Sequence, residues 1–211
     1  MTGSKWLRGS VMSACIVVSA AAAGQTQMAV EYYYAAWNYY FVTSFPDEIQ
    51  TLDSGAFGGV WKRTGQTFNV WSQPIAGSVP ACRFFSTAFA PKSSHFYTPS
   101  SSECETVQRN ANWQYEAIAF HMQLPTAAGG CPNGTTILYR LYNNGIGGAP
   151  NHRYTTSSAT FNQMRAAGWV FEGNQSRRDR RAGLRPRSSA SVARQHEPKT
   201  SAEKCAKAAP S

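Results

Sequence analysis

The sequence predicts an α+β domain made of three ββαβ repeats packed with rough pseudo-three-fold symmetry, the third repeat lacking its last strand. Three observations lead there. A threonine follows a cluster of aromatics three times, in Tyr39-Tyr40-Phe41-Val42-Thr43, Ser94-His95-Phe96-Tyr97-Thr98 and Asn151-His152-Arg153-Tyr154-Thr155, at almost even spacing. A tryptophan lies at a similar distance beyond each, at Trp61, Trp113 and Trp169, and Trp113-Gln114-Tyr115-Glu116-Ala117 parallels Trp169-Val170-Phe171-Glu172-Gly173. Each copy also opens on an alternating segment: Val30-Glu31-Tyr32-Tyr33, Cys82-Arg83-Phe84-Phe85 and Tyr139-Arg140-Leu141-Tyr142. The copies span about residues 30–75, 80–125 and 136–174, inside a domain of residues 24–174.

The opening segment is β-branched or aromatic with period two, which makes it a strand. In copy three a turn of Gly, Asn and Pro follows (residues 143–150), and the aromatic run to Thr155 returns as a second strand. A helix then begins at Ser157-Ser158-Ala159-Thr160, with Phe161, Met164 and Arg165 on one face and Gly168 as its stop. Residues 102–107 repeat the helix in copy two and residues 47–52 in copy one, with acidic or hydroxyl side chains at the positive helix start. The tryptophan segment closes the unit as a third strand, placing Trp61, Trp113 and Trp169 in the core. About 50 residues cannot bury a face alone, so the copies must pack on one another.

The two ends differ from the middle. Residues 1–23 read as a secretory signal peptide: Lys5 and Arg8 form the basic start, residues 11–18 the apolar stretch and residues 19–23 a small-residue cleavage site. About 13 apolar or small residues are too few for a bilayer span of about 20, so no membrane partner is expected after cleavage. Residues 175–211 contain no Phe, Trp or Tyr and carry ten basic against three acidic side chains, which predicts a disordered basic tail. It reads as a frameshifted or otherwise foreign ending, with a genuine basic extension as the alternative. Residues 24–174 hold eight basic and eight acidic groups, so the net charge of +9 resides in the ends and a nucleic-acid partner is not expected.

The units resemble an uncharacterised repeat family of secreted bacterial proteins, a domain of unknown function whose units carry Y-R-x-Y-N, H-F-Y-T and G-W-x-x-E-G. The matching residues are 139–143, 95–98, 152–155 and 168–173, and the likeness covers about residues 30–174. Copy one departs from it with Tyr39 and Tyr40 where the other copies have a histidine. Copy three departs at Ser176, where a phenylalanine would match Phe68 and Phe120. The resemblance implies a unit that stands after a signal peptide or beside a secreted hydrolase, in an accessory or binding role. No activity comes with it.

Cleavage of the leader leaves Cys82, Cys104, Cys131 and Cys205, and an exported chain favours disulfides. Cys82 and Cys104 share a repeat and form one candidate pair; Cys131, in a Gly-Gly-Cys-Pro-Asn-Gly loop, can pair with either instead. Cys205 falls in the tail. No C-x-x-C spacing suggests a metal, and no cofactor is expected. No G-x-S-x-G, H-E-x-x-H or paired-carboxylate spacing appears, so no catalytic residue is assigned. The candidate ligand-binding residues are the repeated aromatics and histidines Trp37, Tyr39, Tyr40, His95, Tyr97, His152 and Tyr154, because exposed rings stack on sugars. The expected function is a secreted or periplasmic, non-catalytic module that recognises cell-wall or extracellular polysaccharide. A protein-interaction domain that meets a cell-surface protein and a hydrolase with an unrecognised site are the alternatives.

Overall fold

Each opening strand becomes the middle of a three-stranded antiparallel unit. The computed structural model of the protein describes residues 24–173 and 204–207. The expected leader lies outside the described residues, as does the expected tail apart from residues 204–207. In copy one, β1 (Thr26–Tyr34) lies between β2 (Tyr39–Thr43) and β3 (Trp61–Trp71), with helix α1 (Pro46–Asp53) on the connection. Copy two repeats this with β4 (Ser78–Ser86) between β5 (Ser94–Thr98) and β6 (Gln114–Gln123), and α2 (Ser101–Gln108). Copy three has β7 (Thr135–Tyr142) between β8 (His152–Thr155) and the short β9 (Val170–Phe171), and α3 (Ser158–Ala166). The hairpins share one register: Thr43, Thr98 and Thr155 face Val30, Cys82 and Tyr139. The α+β class and the ββαβ order follow the sequence expectation.

Local chemistry sets the boundaries. The Ser100 and Ser157 hydroxyls accept from the backbone N–H of Glu103 and Thr160 and cap α2 and α3. Helix α1 begins on Pro46, whose fixed φ suits the first helical position. Gly168 ends the third helix region at φ +91°, and Gly65 takes φ +84° where β3 bulges against β1 between Val30 and Tyr32.

Each helix packs two residues three apart on its own sheet, Ile49 and Leu52, Cys104 and Val107, Phe161 and Met164, with Ile49 and Phe161 only partly buried. Trp61 and Trp113 are half-buried against these small cores, and Trp169 is buried. Arg165, expected on the buried face of α3, is exposed and lies over the Phe161 ring. The opposite faces of the units meet in one shared core of Ala29, Ala81 and Leu138, Val42, Tyr97 and Tyr154, and Phe68 and Phe120.

The third copy ends short, and the place of its missing half-strand is filled. In the first two copies the closing strand runs 11 and 10 residues; β9 has two. Strand β10 (Lys204–Lys207) pairs antiparallel with Thr135–Leu138, where β3 and β6 pair in their own copies. It also touches β3 through Lys207–Asn69 and β6 through Cys205–Gln123. This corrects the expectation that residues 175–211 are disordered throughout. The open edge of β7 and a disulfide between Cys131 and the fully buried Cys205 hold these four residues. The second disulfide joins Cys82 to Cys104, one of the expected alternatives.

Candidate functional site

Two arrangements place the chemically distinctive side chains: ionic junctions between successive copies, and an aromatic face at one end of copy one.

The junctions arise because equivalent positions carry complementary groups. Arg83, on β4, makes a two-pronged pair with Glu48 at the start of α1, with bonds of 2.8 and 2.7 Å. Arg140, at the same place on β7, grips Glu103 of α2 at 2.9 and 3.0 Å. The third junction reverses the signs. Glu31 stands where the other copies have arginine, and it receives Arg153 of β8 at 2.9 and 2.8 Å. So copy one joins two, two joins three, and three joins one. All three arginines are nearly buried, and planar guanidinium–carboxylate pairing satisfies both partners at once.

A ring residue fills each junction. His95 lies between Phe41 of the preceding copy and Phe85, with centroids 4.5 and 4.8 Å away. His152 lies between Phe96 and Tyr142, at 5.0 and 5.1 Å. Tyr40 takes the same place in copy one, with the Arg153 guanidinium 3.9 Å from its ring centre. His95 Nε2 is 3.5 Å from Glu116, which also lies 2.8 Å from Arg83 Nε; His152 Nε2 is 3.1 Å from Glu172, 3.0 Å from Arg140 Nε. Burial raises the Glu48 and Glu116 carboxyls, but hydrogen bonds from Arg83 and Thr43 to Glu48, and from His95 and Arg83 to Glu116, outweigh it and leave both below the usual carboxylate range. Carboxylates held by guanidinium groups are poor general bases. Their chemistry is cohesion. Among the described residues no cluster of three His, Cys, Asp or Glu side chains is placed to hold a metal.

The predicted ligand residues therefore separate. Tyr97 and Tyr154 lie in the shared core, where the Tyr97 hydroxyl donates to Val42 O and the Tyr154 hydroxyl to Tyr97 O. Tyr39 is buried, its hydroxyl donating to Ala149 O across to copy three, and His152 is buried in its junction. Burial takes these four away from any ligand arriving from solvent. His95 and Tyr40 keep a partial surface, and Trp37 keeps the most useful position.

Trp37 rides on the tight turn between β1 and β2. Asn38 accepts the left-handed φ of 55° that the turn requires, and its Oδ1 takes a hydrogen bond from the Tyr33 hydroxyl. The turn brings Trp37 within 4.5 Å of Tyr34 and 5.9 Å of Tyr39, ring centre to ring centre, and Tyr34 continues to Trp61 at 5.6 Å. Trp37, Tyr34 and Trp61 are all partly exposed. Phe57, four residues before Trp61, is 71% exposed and holds a left-handed φ of 57°, a costly backbone for a bulky side chain. Lys92 closes the group, its Nζ 5.1 Å from the Tyr39 ring and donating to Gly147 O. Sequence reasoning singled out Trp37, counted Tyr34 in the aromatic run of copy one without making it a candidate, and passed over Phe57 and Lys92. The signal for Tyr34 was its place in an unbroken run of three tyrosines, one more than strand alternation uses.

A model of the family described as Domain of unknown function (DUF5648) matches residues 16–123 and again residues 48–178. The chain belongs to this family. No curated protein and no solved structure matches it. The ends of the two DUF5648 matches are offset by the same step that separates Thr43 from Thr98. Within this DUF5648 chain, a separate open groove of about 700 Å³ lies between β1 and α1, lined by Met28, Ser44, Pro46 and Ile49, and none of the seven predicted ligand residues borders it.

Proposed function

We propose that the protein is a secreted or periplasmic, non-catalytic binding module that takes polysaccharide on the aromatic end of its first copy. The observation that carries this is the contiguous Trp61–Tyr34–Trp37 series of partly exposed rings, fixed on a strand pair and a tight turn rather than on a free loop. Flat rings held rigidly give a sugar face an apolar platform at low entropic cost. The exposed amide of Asn38, on the same turn as Trp37, adds a hydrogen-bonding group beside the rings. Two disulfides suit an oxidising compartment, and among the described residues no helix is long and apolar enough to cross a membrane.

The test is retention of the purified chain on a panel of insoluble cell-wall and extracellular polysaccharides, repeated with Trp37→Ala. Specific retention that falls at least tenfold in Trp37→Ala, with the circular dichroism spectrum unchanged, supports the reading. Absence of retention on every glycan, or retention that Trp37→Ala leaves intact, overturns it.

A further inference from the structure

The first half of β7 is the one place where the unit's closing strand comes from a distant segment. In copies one and two that half-strand is continuous with the tryptophan segment; in copy three, the whole of 174–203 intervenes before Lys204. That stretch contains no Phe, Trp or Tyr, so β10 arrives on a connection with little apolar surface of its own. Its four residues form a full ladder with Thr135–Leu138 and meet β3 and β6 through one pair each. Without β10, the backbone groups of Thr135–Leu138 on that side have no strand partner among the described residues.

We infer that Thr135–Leu138, flanked by the ends of β3 and β6, is a strand-acceptor site whose occupant is this chain's own Lys204–Lys207, latched by the Cys131–Cys205 disulfide and released by thiol exchange. The two disulfides are built differently. Cys82 and Cys104 are both buried in the small core of copy two, with Phe84 and Val107. Cys131 is partly exposed in its loop while Cys205 is fully buried, so of the two, Cys131 is the one open to a thiolate from solvent. A low-molecular-weight dithiol attacks Cys131 Sγ as the thiolate and forms a mixed disulfide, and Cys205 leaves as a thiolate that takes up a proton. The second thiol of the reagent then displaces Cys131, which is protonated in turn. The dithiol is oxidised to its cyclic disulfide and the protein gains two thiols. With the latch open, a four-residue strand competes poorly with water, and the vacated edge accepts any extended segment of matching register.

The experiment is stepwise reduction of the full oxidised chain with dithiothreitol, trapping free thiols with iodoacetamide and following amide hydrogen exchange. Cys131 and Cys205 are labelled first while Cys82–Cys104 stays closed. At that stage the amides of residues 135–138 lose at least tenfold in protection and those of residues 139–142 keep theirs. Simultaneous opening of both disulfides, or unchanged protection at 135–138 after selective opening, overturns the inference. As a second arm, a fluorescent peptide of residues 202–209 activated at its cysteine is added to the selectively reduced chain. Capture at Cys131 at least tenfold faster than for a scrambled peptide with the cysteine in the same place supports strand recognition. Equal rates refute it.

Discussion

Arg140 of the third copy holds Glu103 of the second through two parallel hydrogen bonds of 2.9 and 3.0 Å, with both side chains almost out of water. The equivalent arginine and acid, Arg83 and Glu48, join copies one and two, and Arg153 with Glu31 joins three to one. Breaking one such pair leaves a buried charge without its two-pronged partner, which is more costly than the pair is stabilising even where Glu116 or Glu172 stays beside the arginine.

Glu103→Ala is therefore expected to lower stability by about 3–5 kcal/mol in urea denaturation. Arg63→Ala removes an ion pair with Asp53 whose side chains are 43% and 39% exposed, and should shift the midpoint little. Equal losses for the two variants would show that burial does not set the cost.

Acid should loosen the junction between copies one and two. Glu48 and Glu116 have folded-state pKa values below the ordinary carboxylate value, so their contribution is complete above that value and is lost as pH falls through the depressed one. Urea midpoints measured from pH 6 downward should hold until about pH 4.5 and then drop. Arg83→Met should flatten the drop, since Arg83 contacts both acids; an unchanged acid limb in that variant contradicts the assignment.

At the other extreme the buried tyrosines act. Burial pushes the Tyr39 hydroxyl up to about 12, with Tyr142 adding to the shift, and raises Tyr97 and Tyr154 as well. A raised folded pKa gives stability that is whole below the unfolded value of about 10 and declines as pH climbs through the folded one. Ultraviolet titration should show these phenols ionising only with unfolding, and Tyr39→Phe should stay folded to higher pH than the parent. Ionisation of every tyrosine near pH 10 in the folded chain would contradict the burial.

Copy one supplies a disulfide-free version of copy two: Val30 and Ile49 stand where Cys82 and Cys104 are bonded. The double change Cys82→Val with Cys104→Ile should keep the fold and lose about 3 kcal/mol, the entropic value of a cross-link closing a loop of 22 residues. Thermal denaturation measures it. Complete failure to fold would mean that the bond has a role beyond the cross-link.

The sequence carried the local layer of this architecture well. Period-two segments, hydroxyl-led helix starts and the recurring tryptophans located β1, β4 and β7, the three helices and the closing strands, because these depend on residues a few positions apart. The junctions were not legible. Glu116 and Glu172 stood out as equivalent, as did His95 and His152, but Arg83 finds Glu48 at a separation of 35 residues and Arg153 finds Glu31 at 122. No periodicity reports a partner across copies. The candidate site was half legible for a related reason: a repeated aromatic signals a shared position, and Tyr97 and Tyr154 share a position in the core. Only Trp37, which lies on a turn, could be told apart by its surroundings. Strand β10 left a single trace, a cysteine in a segment that otherwise lacks the aromatic residues of the domain.

Asn69 on β3 faces Met28 across one edge of the strand and Lys207 across the other. The first and last described strands are thus parallel neighbours of the same strand, about 10 Å apart. The start of β1 and the end of β10 therefore lie close together on either side of β3. Pulling on both ends would load β1, β3 and β10 first, and the load would enter the hairpin that carries Trp37 through its β1 arm.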